Sequence, residues 1–416
     1  MNPAGLKRQA VENRLALLYA AIFLVFGVQT PFLPVWLSAR GVSVDEIAVA
    51  LAFPRILQVV VVPALSRWAD RRGGVVAMLV FSSVAMTLLF AALAAPAGPS
   101  LTLFAVGLLF LAQSGAQPLI DVLVFAIFTP GGSPAWGGPE AAPFDYGRVR
   151  KWGSVAFIAG NLAAGAFLTL TSLTAMTLLL VLASAASAVV SVYAWPLDRL
   201  AHPAHRRVDP ARSGAGSRYL PVVVGAAASI QASHALVLSF ASVHWAQTGH
   251  SDAFIGAASA IGVVVETLVF ALFGRWIAGP DKAAGMMIVG GLAATVRWTA
   301  MAFDPGDVVL MIAQASHGLS FAATHAGTML LIADMAPANR RGAAQGLATA
   351  AIAGLTAVLT VASGTLIVRF GERSYFVMAA FALLGAILAL GASALRARER
   401  AGQNRRADDW SESPRR

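Results

Sequence analysis

Twelve long apolar stretches are the feature that most restricts how this chain can fold. A helix that crosses a bilayer needs roughly 20 mostly apolar residues. Stretches of that length lie at 15–37, 47–66, 75–95, 101–128, 151–170, 173–196, 219–245, 253–277, 284–303, 307–333, 343–368 and 374–395. Short segments of strictly alternating polarity, which are typical of membrane barrels, do not occur. The pattern predicts an all-α polytopic membrane protein with 12 transmembrane helices.

Composition agrees with this class and argues against a soluble protein. Of the 416 residues, 58% are hydrophobic and 12% are charged, whereas soluble domains carry about 25% charged residues. The net charge of +10 could suggest nucleic-acid binding, but the positions of the basic residues favour a membrane protein with basic loops. Cysteine is absent, so the sequence predicts neither disulfides nor thiolate chemistry.

The basic residues predict the orientation of the helices. Of the 30 Lys and Arg residues, two lie well inside spans and three lie in odd-numbered loops. The other 25 lie at the termini, in even-numbered loops or at the span ends beside those loops. Because cytoplasmic loops are enriched in Lys and Arg, both termini are expected in the cytoplasm, with the protein in the inner membrane. We expect two six-helix halves at 1–196 and 219–395, a cytoplasmic central loop at 197–218, and a flexible cytoplasmic tail at 396–416.

The 6+6 topology and two loop motifs resemble the major facilitator superfamily. The segment "LSRWADRRGG" is similar to the superfamily's signature between helices 2 and 3, and the matching residues are Asp70, Arg71 and Gly73. The segment "PANRRGAAQG" is similar to the pattern after helix 10, and the matching residues are Pro337, Arg341, Gly342 and Gly346. The resemblance implies two halves that rock about one central substrate site.

Seven ionisable residues fall within the apolar stretches and away from their ends, where charge is costly and therefore points to function. They are Arg55, Asp121, His234, Glu266, Arg297, His317 and His325. The spacing of His317 and His325 places both on a similar face of one helix. Arg55 is expected to snorkel or to pair locally, and His234 could equally be a packed, hydrogen-bonded histidine.

The segment "YGRVRKWGSVAF" resembles the start of helix 5 in the lactose-permease branch of the superfamily. That resemblance implies that Arg150 pairs with Asp121 and holds substrate, and it aligns Glu266, Arg297 and His317 with the branch's functional positions. Two residues depart from the pattern and argue against lactose-type sugar transport. They are Ser320, in place of a proton-carrying Glu, and Phe157, in place of a sugar-stacking Trp.

The segments "SHALVLSFASVHW" and "HGLSFAATH" make the chain look more like the phenylpropionate-permease relatives of that branch. The resemblance implies a proton-coupled symporter of a small organic solute, such as an aromatic carboxylate similar to 3-phenylpropionate. Substrate contacts are expected from Asp121, Arg150, Phe157 and Arg297. Because Ser320 cannot carry the proton, we expect Glu266 and Arg297 to pair and separate during the cycle. Proton coupling is expected from Glu266, His317 and His325.

Other functions stay open at this point. A nucleoside or oligosaccharide proton symporter would share the same fold, and a non-transporting sensor could retain it. An intramembrane hydrolase is disfavoured because HExxH, GxSxG and aspartyl-protease motifs are missing, and the lack of a Walker A sequence disfavours an ATP-driven pump. We therefore expect a monomer that is not an enzyme, with substrate, protons and membrane lipid as partners, and with no metal, cofactor or nucleic acid.

Overall fold

The structure is a computed structural model that describes residues 8–72, 74–128, 146–200, 219–276, 280–336 and 341–412. Within these ranges the chain forms helices and short turns, with no β-strand. The described residues form twelve helical passes, one after another. The fold is therefore that of an all-α polytopic membrane protein, as the sequence predicts.

The first six passes form one half of the molecule. Their bounds are α1 Arg8–Ala39, α2 Val44–Arg72, α3 Val75–Ala94, α4 Pro99–Gln113 with Ala116–Phe128, α5 Tyr146–Leu170 and α6 Met176–Tyr193. The other six form the second half. Their bounds are α7 Leu220–Ala232 with Ala235–Gln247, α8 Asp252–Trp276, α9 Pro280–Met301, α10 Asp307–Ala315 with Gly318–Ala323 and Thr324–Met335, α11 Arg341–Phe370 and α12 Tyr375–Glu412.

Length and apolar composition allow nine segments of the described chain to cross a membrane. One of these, Arg341–Leu395, is 55 residues long and contains both α11 and part of α12, joined by a short turn at Gly371–Ser374. The remaining two passes are α2 and α10. The α2 helix has a mixed composition with charged residues at both ends, and α10 is divided into three segments.

Three passes are interrupted near their middle, and these interruptions shape the interior. The α4 helix breaks at Ser114 and Gly115, the α7 helix breaks at Ser233 and His234, and α10 contains a π-helical turn at Gly318–Ala323. Within a membrane, such breaks free backbone polar groups that must be satisfied inside the protein or at a cavity. They therefore indicate where polar chemistry is located.

Glycine allows the two halves to approach each other through α5 and α8. A Cβ atom on Gly165 would lie 2.6 Å from the Asp252 carbonyl oxygen, and a Cβ on Gly256 would lie 2.5 Å from the Asn161 carbonyl oxygen. In addition, the Ala253 backbone N–H donates to Thr169 Oγ1 at 2.9 Å. These contacts join the end of α5 to the beginning of α8.

The halves also touch through α2 and α11, where a Cβ on Gly364 would lie 2.8 Å from Ala48 Cβ. Gly364 precedes the connection between α11 and α12, and Ala48 follows the connection between α1 and α2. The α5–α8 contact likewise lies beside odd-numbered connections. The halves are therefore closed against each other at the face of the bundle that carries the odd-numbered loops.

The described part of the far C-terminal segment is helical. The α12 helix continues without a break from Tyr375 to Glu412. The physical reason is that 396–412 is dominated by Arg, Ala, Glu and Gln, which are good helix formers, and contains no proline. Most of the predicted central loop lies outside the described residues, as do the motif residues Gly73 and Pro337.

Candidate substrate and proton site

A cavity of about 100 Å³ lies between the two halves. Its wall combines residues from α1, α5, α7, α8, α9 and α10. The residues most relevant to ligand binding are Thr30, Phe157, Trp245, Arg297, Gln314 and His317. Both halves therefore contribute to one site, which is the arrangement expected where two halves rock about a ligand.

Arg297 brings a buried charge to this cavity without a counter-ion. Its residue is 4% exposed, and Nη2 donates to Gln314 Oε1 at 2.8 Å while Nη1 lies 3.1 Å from His317 Nδ1. Its Nε atom is buried and has no hydrogen-bond acceptor. None of the ion pairs among the described residues includes Arg297. Because a guanidinium stays charged, this site is short of one negative charge.

His317 lies between Arg297 and Glu266. The Arg297 guanidinium can only donate, so His317 Nδ1 accepts its hydrogen bond and the ring proton belongs on Nε2. That Nε2 atom lies 3.4 Å from Glu266 Oε2. The expected direct ion pair between Glu266 and Arg297 is therefore not formed in this structure. A neutral imidazole that accepts from the cation and points its N–H at the carboxylate connects the two groups instead.

Gly318 explains why α8 and α10 come close enough for this contact. A Cβ at Gly318 would lie 2.5 Å from the Glu266 backbone nitrogen and 2.5 Å from the Val265 carbonyl carbon. The glycine also begins the π-helical turn that follows His317, and such turns are frequent at functional sites. The close packing at Gly318 and the π-helical turn thus allow His317 on α10 to contact Glu266 on α8.

The two histidines of α10 lie in one stack of rings, which confirms that they share a face. The ring centroids of His317 and Phe321 are 5.2 Å apart at 21°, and those of Phe321 and His325 are 6.3 Å apart at 3°. His317 is partly buried, whereas His325 is exposed. The stack therefore extends from the central cavity toward an accessible part of α10.

His234, at the break in α7, packs at the centre of the second half. It is 1% exposed, and its ring lies edge-on to His317 and Trp298. Its Nδ1 atom lies 3.2 Å from the Ile230 carbonyl oxygen, and its Nε2 atom lies 3.2 Å from Ser320 Oγ, which itself donates to the His317 carbonyl oxygen at 3.2 Å. Ser320 thus hydrogen-bonds to a histidine.

In the first half, the expected ion pair between Asp121 and Arg150 is not formed. The Asp121 carboxylate accepts hydrogen bonds from the hydroxyls of Tyr19 and Tyr146, the latter at 2.8 Å. The Arg150 guanidinium instead lies 4.3 Å from the centre of the Phe23 ring. Two phenol donors satisfy the carboxylate, and an aromatic face stabilises the cation.

The predicted site residues therefore fall into separate groups. Phe157, Arg297 and His317 line one cavity, Glu266 contacts His317, and His325 ends the ring stack on α10. Asp121 and Arg150 are not among the residues that line this cavity. Arg55 forms no ion pair in the described chain. It is partly buried and lines a second cavity of about 250 Å³ between the halves.

Several site residues were not singled out from the sequence. Gln314 orients Arg297, and Tyr19 and Tyr146 hold Asp121. Gln314 could have been found as a polar residue one turn before His317 on the same helix. The tyrosines give no comparable signal, because they are distant in sequence from Asp121 and meet it only through helix packing.

Comparison with known proteins shows which family the chain belongs to. The family model described as "MFS_1 like family" matches residues 13–378. A protein of Escherichia coli (strain K12) named "Probable 3-phenylpropionic acid transporter" is 26% identical over 382 residues, covering 89% of this chain and 94% of that protein.

Solved structures share the fold at low sequence identity. The nucleoside transporter NupG, as its D323A mutant, matches with a TM-score of 0.71 and 15% identity, covering 92% of this chain and 99% of that chain. A bacterial homologue of the iron transporter ferroportin matches with a TM-score of 0.68 and 16% identity, covering 93% of this chain and 100% of that chain. With a family match over nearly its whole length and the fold of these transporters, the chain belongs to the MFS_1-like family and is a multi-pass membrane transporter of the major facilitator type, not an enzyme.

Proposed function

We propose that this transporter carries small aromatic carboxylates, with 3-phenylpropionate as the first candidate, in symport with protons. The observation that carries the proposal is Arg297, a buried cation that lines the cavity between the halves without an acidic partner. A substrate carboxylate would supply the missing charge through charge-assisted hydrogen bonds, including one from the unpaired Nε atom. The name of the Escherichia coli relative agrees with this substrate class.

The aromatic part of the substrate has suitable contacts in the same cavity. Phe157 from the first half and Trp245 from the second half both line it, and aromatic rings pack favourably against each other. A neutral nucleoside or sugar would leave Arg297 without a counter-ion, so these alternatives are disfavoured. We propose that Phe157 contacts the substrate ring and that Arg297 binds its carboxylate. Asp121 and Arg150 of the first half are proposed to contact the substrate at another stage of the cycle, since they do not line this cavity.

Proton coupling is assigned to Glu266, His317 and His325. In the described state, His317 accepts from Arg297 and points toward Glu266. A substrate carboxylate that binds Arg297 would compete with His317 for its hydrogen bond, which frees the imidazole to take a proton. Glu266 stabilises that charged ring, and His325 provides the accessible end of the stack. Substrate binding and proton binding then favour each other.

We further propose that the protein lies in the inner membrane with both termini in the cytoplasm. The distribution of Lys and Arg supports this orientation. In that orientation, the closed face with the odd-numbered loops is periplasmic, so the substrate site would be reached from the cytoplasm. Reporter fusions after Asp198 and after Gly249 test this directly. The first should report cytoplasm and the second periplasm, and the reverse result would invert the proposed topology.

The experiment that tests the function is uptake into proteoliposomes under an inward proton gradient. Labelled 3-phenylpropionate, uridine and lactose are offered separately to the purified protein. We expect 3-phenylpropionate to accumulate above equilibrium, and a protonophore to abolish that accumulation. Accumulation of uridine or lactose in its place would contradict the substrate class. Accumulation of 3-phenylpropionate that is unaffected by the protonophore would contradict coupling to protons.

A further inference from the structure

The second cavity between the halves, of about 250 Å³, contains one ionisable side chain and no acid. It is bounded by α1, α2, α4, α7 and α11, so both halves contribute to it. The polar residues in its wall are Gln29, Thr30, Arg55, Ser239, Thr356 and Thr360. A cation in a wall of neutral hydrogen-bonding groups is the composition expected of a site for an anion.

Arg55 has no partner among the described residues. None of the ion pairs among the described residues includes it, and it makes no hydrogen bond or ring contact there. It lies about three turns, or roughly 16 Å, after the beginning of α2 at Val44, and its side chain is partly buried. An unpaired guanidinium at this depth is costly, which makes a functional role the default interpretation.

Two of the neutral wall residues, Gln29 and Ser239, have hydrogen-bond partners other than Arg55. Gln113 Nε2 donates to Gln29 Oε1 at 2.6 Å, and Gln29 Nε2 donates to Gln113 Oε1 at 3.3 Å. Ser239 Oγ donates to the Ala235 carbonyl oxygen at 2.8 Å. These bonds orient Gln29 and Ser239, and none of them supplies a negative charge to Arg55. An anionic ligand would supply that charge.

The Arg55 cavity lies beside the Arg297 cavity, and the two share wall residues. Thr30 of α1 and Leu238 of α7 line both cavities. Arg55 belongs to the first half and Arg297 to the second, and neither has a carboxylate partner. A single ligand that extends past Thr30 could therefore contact one cation from each half.

We propose that Arg55 forms a second anion subsite and that the preferred ligands are aromatic dicarboxylates, with one carboxylate at Arg297 and the other at Arg55. The inference rests on the proposed function for the first carboxylate and extends it to a second. A ligand of this kind would neutralise both buried cations and would connect the two halves through its own length. An aromatic monocarboxylate would leave Arg55 unneutralised.

Binding of a matched pair of ligands to the purified protein tests the proposal. The pair is 3-phenylpropionate and its analogue with a second carboxylate para on the ring. Wild type should bind the dicarboxylate at least about tenfold more tightly, because a charge-assisted contact is gained. In Arg55→Gln the ratio of the two affinities should fall to about one, and Arg55→Lys, which keeps the charge, should retain part of the preference. A thermal unfolding profile shows that each variant is folded.

The outcomes separate this inference from the proposed function. If wild type binds both ligands equally, or if Arg55→Gln keeps the wild-type ratio, the second subsite is wrong although the aromatic carboxylate function stands. If only the dicarboxylate binds, and Arg55→Gln abolishes that binding, the subsite is supported and the monocarboxylate substrate is wrong. If neither ligand binds to folded wild type, both proposals are wrong.

Discussion

His317 holds its Nε2 atom 3.4 Å from a carboxylate oxygen of Glu266. Its other ring nitrogen lies 3.1 Å from Arg297, so one imidazole connects a buried cation to the embedded acid of the same half. The cation and the acid are thereby kept from neutralising each other directly. This leaves Arg297 free to bind an anionic substrate and leaves Glu266 and His317 free to respond to it.

Replacement of Arg297 should weaken substrate binding without lowering the stability of the protein. Arg297→Met removes a buried charge that has no acidic partner, so the unliganded protein should unfold at an equal or higher temperature than wild type. Binding of 3-phenylpropionate should weaken by about tenfold to 100-fold, the value of one charge-assisted hydrogen bond or more. Unfolding can be followed by tryptophan fluorescence and binding by calorimetry. Normal affinity in this variant would show that Arg297 does not hold the substrate.

The close approach of α8 and α10 should depend on the glycine at position 318. Gly318→Ala would place Cβ 2.5 Å from the Glu266 backbone nitrogen, and overpacking of this kind costs about 1–3 kcal/mol. We expect a lower unfolding temperature and loss of proton-driven uptake. The matched control is Gly306→Ala before α10, where a Cβ meets nothing within 4 Å. Equal behaviour of the two variants would mean that the contact with α8 is not required.

The stability of the fold around Asp121 should depend on its two tyrosine partners more than on Arg150. Tyr146→Phe and Tyr19→Phe each remove a donor to the carboxylate, and each should lower stability by about 1.5–3 kcal/mol. The double reversal Asp121→Arg with Arg150→Asp should be as poorly folded as either single reversal, because neither side chain neutralises the other in the structure. Expression levels and unfolding temperatures measure this. Recovery in the double reversal would instead establish direct pairing.

The helices could be predicted from the sequence because a bilayer restricts spanning segments to very few backbone structures. Every backbone polar group in the membrane must be satisfied within a helix, so apolar length alone locates the passes. The stretch predicted at 75–95 is a helix at Val75–Ala94, and the stretch predicted at 307–333 is found within Asp307–Met335. The shared face of His317 and His325 was also predictable, because it depends only on spacing along one helix.

Contacts between helices could not be predicted in the same way. They depend on how each helix is rotated and tilted, and on irregularities such as the π-helical turn after His317. For this reason the expected ion pair of Asp121 with Arg150 is not formed, and in this state the Glu266 carboxylate contacts His317 rather than Arg297. The position of Arg55 in a cavity was not predicted either. Charge alone indicates which residues need a partner, but only packing determines which partner they find.

A cluster formed by the end of α7 and two connections between helices should make stability depend on pH. His244 Nε2 lies 2.9 Å from Asp304 Oδ1, and His244 Nδ1 lies 3.2 Å from Glu372 Oε1. Burial raises the pKa of Glu372 to about 7, with nearby Asp304 raising it further and His244 opposing the shift. The folded state therefore favours the protonated acid. This contribution to stability is complete below the ordinary pKa of 4.5 and is lost as pH rises through about 7.

Glu372→Gln, which stays neutral, should therefore reduce the fall in unfolding temperature between pH 4.5 and 7. Asp307→Asn is the matched control, because it removes an exposed carboxylate that contacts a different histidine, His250, at 3.1 Å. Unfolding is followed by tryptophan fluorescence across this pH range. The control should keep the wild-type slope. A wild-type slope in Glu372→Gln would show that burial of this acid does not determine the pH dependence.

The proposed coupling of substrate to protons through Glu266 and His317 is tested most directly by two assays on one proteoliposome preparation of Glu266→Gln. One assay measures accumulation of 3-phenylpropionate driven by a pH gradient, and the other measures exchange of internal for external substrate without a gradient. Exchange requires no net proton movement, so we expect it to continue while accumulation is lost. Full accumulation driven by the pH gradient in Glu266→Gln would contradict the account, because the proton would then be carried elsewhere.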